Sequence, residues 1–222
     1  MLRKLPRWVE YGAFTLALLA GTVNAVGLLG FQHQSVSHLS GTTTMIGAEL
    51  FSFSSSLPHL SGILFSFLLG SALSGYFISS ESVKLGRNYD LLLVIEGLLL
   101  LVAIFFLDKH APLGHYLASA ACGLQNALAT RYSGAVVRTT HVTGIFTDLG
   151  IMLGGALRGE AFDKRKCILF CLILLGFILG GAVGAYLFQS FQFMALIFPA
   201  GICFMLAVSY RLYSVRQRKV SR

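Results

Sequence analysis

Asn24 and Asn126, His38 and His141, Ser40 and Thr143, Gly41 and Gly144, and Thr44 and Thr147 are polar or small pairs set 102 or 103 residues apart in an otherwise apolar chain. The Ser or Thr followed by Gly suits the first turn of a helix. Ser40 or Thr143 would serve as the N-cap, and Gly41 or Gly144 would let another helix or a ligand approach the backbone. A helix start presents free N–H groups and the positive end of the helix dipole, so two such starts suit an anion, a carboxylate or a neutral polar solute. His38 and His141 could titrate near neutral pH beside them. Asp148, next to Thr147, is a further candidate. Plainer readings stay open: the asparagines as hydrogen-bonding glue between helices, and the histidines as loop or capping residues.

The composition says what surrounds these groups. The chain has 222 residues, 55% of them hydrophobic and 12% charged, with a mean hydropathy of +0.75. That is too apolar for an ordinary soluble domain and predicts a lipid bilayer as its surroundings. The formal net charge of +8 does not point to nucleic acid, because the basic residues lie between or beyond apolar runs and form no stripe on a helix face.

Six long apolar runs are read at Tyr11 to Phe31, His59 to Ser80, Asp90 to Leu107, Pro112 to Arg131, Lys166 to Phe188 and Phe193 to Tyr213. Each meets the length of about 20 residues that a crossing helix needs. Two shorter runs, Gly41 to Phe53 and Gly144 to Leu157, hold the polar motifs. With six crossings and a cytoplasmic N-terminus, Arg3, Lys4, Arg7, Lys84, Arg87, Arg131, Arg138, Arg158, Lys164, Arg165, Lys166 and the tail from Arg211 all fall inside, and Lys109 alone falls outside. Letting the short runs cross as well would move Lys84, Arg87, Arg131 and Arg138 outside. The expectation is therefore a multi-pass membrane protein with both termini cytoplasmic.

The first 25 residues resemble a secretory signal in having a basic start and an apolar core, but the apolar run continues past Ala25 to Phe31, and Glu10 and Tyr11 interrupt its beginning. An uncleaved first crossing is the expectation.

"GTVNA" at Gly21 to Ala25 returns as "GLQNA" at Gly123 to Ala127, and "GSALSGYF" at Gly70 to Phe77 as "GGAVGAYL" at Gly180 to Leu187. One single-residue gap reconciles the two offsets. The sequence thus predicts two repeats, 11–107 and 112–213, joined by 108–111 within one membrane domain spanning 1–222. Three crossings per repeat is an odd number, so the second copy enters the membrane from the opposite side. The expected fold is all-α, with six transmembrane helices and two short non-spanning half-helices in an inverted repeat. Irregular backbone at membrane depth is tolerated only where it is buried in protein or faces water.

The stretches "GTVNAVGLLGFQHQSVSHLSGTTT" and "CGLQNALATRYSGAVVRTTHVTGIFTDLG" resemble the paired signatures of the YoaK family, bacterial membrane proteins described as a domain of unknown function. The likeness covers nearly the whole chain. Asn24 stands where the family often has Asp, and Leu39-Ser40-Gly41-Thr42 where it has Met-Thr-Gly-Asn. The resemblance implies a fold and a location, the bacterial cytoplasmic membrane, and no activity.

Glu49, Glu96 and Asp148 lie inside apolar runs, where a charge is expensive and usually functional. Gly176, Gly180 and Gly184, and the pairs Gly70 with Ser74 and Ser71 with Gly75, read as small-residue seams for close helix packing. Cys122, Cys167, Cys171 and Cys203 lack zinc-like spacing and read as buried small hydrophobes, with no disulfide, metal or cofactor expected.

The function these features favour is a transporter or channel for a small polar or anionic solute, with Asn24, His38, Ser40, Gly41, Thr44, Asn126, His141, Thr143, Gly144, Thr147 and Asp148 at its site. A membrane scaffold or sensor subunit is the alternative. An intramembrane hydrolase using Ser37 or Ser40 with a histidine base is disfavoured, because there is no GxSxG elbow and a Ser/Thr exchange suits capping better than attack. The partners expected are the bilayer and the solute, with homo-oligomerisation left open.

Overall fold

The computed structural model describes residues 8–30, 33–51, 55–78, 88–133 and 137–220. The basic residues Arg3, Lys4, Arg7, Lys84 and Arg87 lie outside them. All described secondary structure is helical: α1 (Trp8–Leu29), α2 (Leu39–Glu49), α3 (Leu57–Phe77), α4 (Tyr89–Leu107), α5 (Leu113–Tyr132), α6 (Val142–Leu157), α7 (Lys164–Phe191), a 3-10 turn (Gln192–Leu196) and α8 (Ile197–Val220).

Length and apolarity suffice for a membrane crossing in Val9–Leu29, Leu57–Phe77, Tyr89–Leu107 and the continuous stretch Lys164–Arg216. That last stretch has 53 residues, and as one straight helix it would run about 80 Å against a hydrocarbon core of about 30 Å. It does not run straight. Gln192, with φ of 51°, breaks it, and the 3-10 turn leads into α8. Leu169 near the start of α7 and Ala207 in α8 belong to one core cluster, so the chain doubles back, with α7 packed on α1 and α8 on α4.

α5 has 20 residues, long enough to cross, but it is less apolar than the stretches above because His115, Ser119, Gln125 and Arg131 interrupt it. It is an inner helix. His115, Ser119, Gln125, Leu124 and Ala129 are buried between neighbouring helices, while Phe65, Leu68, Ile178 and Met205 are exposed on other helices.

Carbonyl-to-glycine contacts set the helix pairing. Along α7, a Cβ at Gly176, Gly180 or Gly184 would run into the carbonyl oxygens of Phe14, Leu18 and Thr22 on α1. Residues four apart on one helix meet residues four apart on the other. Thr22 Oγ1 adds a hydrogen bond to the Gly180 carbonyl at 3.0 Å. In the second pair, a Cβ at Gly70 of α3 would strike the Ala120 carbonyl of α5, and Ser71 donates to the Gly123 carbonyl at 3.0 Å. The sequence-read seams at Gly180 and Gly70 do pack as expected.

Ion pairs place several helix ends together. Arg165 at the start of α7 meets Glu10 at the start of α1 at 3.0 Å, and Arg211 in α8 meets Asp90 at the start of α4 at 3.0 Å. Tyr89 and Leu92 share a core cluster with Val9 and Leu169, which puts both pairs at one end of the bundle.

The short helices are too short to cross in full. α2 has 11 residues and α6 has 16, lengths of about 16 Å and 24 Å.

The cysteine reading holds only in part. Cys122 and Cys203 are buried, Cys167 is half-buried and Cys171 is exposed, and all four are free thiols.

Candidate functional site

The two polar motifs converge on one cavity of about 810 Å³. From the first motif it is lined by Asn24, Ser37, His38, Leu39 and Ser40, and from the second by Asn126, Thr130, Thr140, His141, Val142 and Thr143. Phe67 and Ser71 of α3 and Phe177 of α7 complete the wall, as do Arg131 and Arg138.

Each motif folds in the same way. After α1 the chain turns back, and the Asn24 side chain ties it down: its Oδ1 accepts from the Ser37 backbone N–H at 3.2 Å, from Ser37 Oγ at 2.8 Å and from Ser35 Oγ. In the second motif Asn126 Oδ1 accepts from the Thr139 backbone N–H at 3.1 Å. Both bonds to backbone span 13 residues. The asparagines are therefore local staples within each motif, a role between the two that the sequence suggested. Among the described residues neither Nδ2 is engaged, so each is a donor at the cavity wall.

The capping expectation is corrected. α2 starts at Leu39 and α6 at Val142, so the N-cap positions belong to His38 and His141, and no side chain caps either helix. Ser40 and Thr143 lie two residues past the cap position, inside the first turn. The glycines have a different neighbour from the one expected: a Cβ at Gly41 would strike the His38 ring, and one at Gly144 the His141 ring. Each imidazole folds back over the first turn of its own helix. Two uncapped helix starts thus border the cavity, each with N–H groups that lack an intrahelical partner.

Not every expected site residue reaches the cavity. Thr44 and Thr147 have exposed side chains that bond back to the Ser40 and Thr143 carbonyls at 2.9 and 3.0 Å. Asp148 pairs with Lys166 at 3.2 Å and is absent from the wall. It braces α6 against α7. Glu49 accepts from Ser56 between α2 and α3. Neither Ser37 nor Ser40 hydrogen-bonds a histidine ring, and Ser37 Oγ is held by Asn24.

Arg131 and Arg138 were read as topology markers, yet both line the cavity. Among the described residues neither forms an ion pair. A signal for Arg131 was present: Asn126, Ala127, Thr130 and Arg131 share one face of a helix at positions i, i+1, i+4 and i+5. Among the described residues the wall holds two arginines, two histidines and no carboxylate, so its fixed charges are positive.

The fold is that of a helical membrane protein, with long apolar helices around an inner polar cavity. More narrowly, the chain belongs to the family described as "Protein of unknown function (DUF1275)", which matches residues 12–209. That match is consistent with the resemblance to the YoaK signatures. No curated protein and no solved structure matches the chain.

Proposed function

We propose that this protein is a transporter or channel for a small polar solute, anionic by preference, in a bacterial cytoplasmic membrane. The observation that carries the reading is the wall itself: Arg131, Arg138, His38, His141 and two uncapped helix starts around one cavity without a carboxylate. Unpaired cations and helix N-termini stabilise an anion, and such cavities between half-helices recur in transporters.

Six crossings arranged as an inverted repeat, with both termini cytoplasmic, complete the proposal. Its support is the duplication of close contacts. Gly21 meets the Phe177 carbonyl as Gly123 meets the Phe67 carbonyl, and Gly180 meets Leu18 as Gly70 meets Ala120. α1 with α7 and α5 with α3 are then equivalent pairs from opposite repeats.

The test is uptake of labelled sulfate, phosphate and chloride into proteoliposomes, with urea as the neutral comparison. Uptake of at least one anion above protein-free vesicles, reduced about tenfold by Arg138→Gln, is expected for a lost charge-assisted contact. If wild-type vesicles take up none of the four solutes, the transport reading fails and a scaffold or sensor role replaces it.

A further inference from the structure

Glu96 is a buried carboxyl that the cavity wall does not include. It lies in α4 and is 2% exposed. Gln125 of α5 and Cys203 of α8 are the hydrogen-bonding groups its carboxyl meets, and its Oε2 has no partner among the described residues. None of the ion pairs uses it.

Two thiols are the titratable groups facing Glu96 from packed elements, Cys122 on α5 and Cys203 on α8. The 3-10 turn Gln192–Leu196, also packed on α4, brings no titratable side chain. On α4 itself, Tyr89 and Asp90 lie in the first turn, and Asp90 is paired with Arg211. Among the described residues no cation pairs with Glu96.

A short polar chain leads from this carboxyl to the cavity. Gln125 Oε1 accepts from Thr139 Oγ1 at 3.3 Å, and the Thr139 N–H donates to Asn126 Oδ1 at 3.1 Å. Asn126 is on the cavity wall. The arrangement is also one-sided, since α8 contains no acidic residue.

We propose that Glu96 is a proton-binding site coupled to the cavity through Gln125, Thr139 and Asn126, so that a small anion and a proton bind together. The inference rests on the anion reading above. An anion in the cavity repels an ionised carboxylate across α5, and a proton on Glu96 removes that repulsion. By linkage the anion strengthens proton binding by the same factor. The proton is taken from water and returned to water, with no covalent or redox step. An ionisable group at membrane depth without a counter-ion suits this role.

The test uses the full chain in liposomes and whichever of sulfate, phosphate or chloride it moves. With the acidic side facing the anion, wild-type vesicles should accumulate the label above its equilibrium level. Glu96→Gln should lower that accumulation about tenfold while still exchanging labelled for unlabelled anion, a loss within the usual range of coupling. Should Glu96→Gln fail to insert, Thr139→Val breaks the chain without touching the carboxyl and should weaken the gradient response likewise. A gradient response that persists in both variants, or that disappears in His141→Gln instead, overturns the proposal. Exchange without gradient-driven accumulation in the wild type overturns it too and leaves the anion reading standing. Absence of any anion movement removes both.

Discussion

The His141 ring lies against the Cα of Gly144, three residues on, where a Cβ would collide with the imidazole. His38 and Gly41 repeat the arrangement. Gly144→Ala should displace the ring from the cavity wall and reduce anion uptake, while costing at most about 1 kcal/mol of stability, because the obstructing atoms belong to a movable side chain. The revealing measurement is a double-mutant cycle. His141→Ala with Gly144→Ala should be no worse than His141→Ala alone, since the clash then has no second partner. Additive losses would show that the glycine matters for something other than the ring.

The seam between α1 and α7 separates two adjacent glycines. A Cβ on Gly180 would strike the backbone carbonyl of Leu18, which cannot move aside, whereas Gly181 has open space. Gly180→Ala should destabilise by about 1–3 kcal/mol, the usual range for overpacking. Gly181→Ala should be neutral or stabilising by about 0.5–1 kcal/mol, from the helix preference of alanine. Thermal unfolding in detergent followed by size-exclusion chromatography would rank them. Equal loss in both would contradict the packing described.

Particular residues show what the sequence revealed. Apolar run length placed α1, α3 and α4 to within a few residues, because a bilayer-length helix needs one long uninterrupted stretch. The repeated asparagines and histidines, with Ser40 and Thr143, lie on the cavity wall, whereas Gly41 and Gly144 sit against the histidine rings instead. Even the one-residue gap has a place. Asn24 to Ser37 and Asn126 to Thr139 both span 13 residues, and His38 follows directly where Thr140 intervenes before His141. Arg131 and Arg138 were read only as topology markers because charge counting gives the side of the membrane but not the direction of a side chain, and Asp148 was placed at the site because adjacency to Thr147 does not show that its side chain turns to Lys166. The capping positions shifted because a Ser-Gly or Thr-Gly step is compatible with a helix that starts two residues earlier.

Topology gives a prediction independent of the cavity. A reporter fused after Arg158 should read cytoplasmic, as should one after Arg87, which lies outside the described residues. One in the loop between Phe51 and Leu57 should read external. The ion pairs Arg165–Glu10 and Arg211–Asp90 anchor the expected cytoplasmic end. An external signal at Arg87 would place α3 and α4 the wrong way for an inverted repeat.

Asn126 combines two roles that substitution can separate. Its Oδ1 holds the Thr139 N–H, and its side chain is part of a wall that, among the described residues, has no carboxylate. Asn126→Leu removes the acceptor and leaves a part-buried N–H unmatched, which should cost about 1–3 kcal/mol and loosen the chain leading into α6. Asn126→Asp keeps an acceptor in place, so its thermal stability should remain nearer to wild type. It also brings a negative charge beside the unpaired Arg131 and Arg138. Anion uptake should then fall about tenfold or more although the fold survives, because the carboxylate competes with the solute for the same cations. Measuring both unfolding temperature and sulfate, phosphate or chloride uptake on the two variants distinguishes staple from wall. If Asn126→Asp transports these anions as well as the wild type does, the electropositive cavity is not where the anion binds.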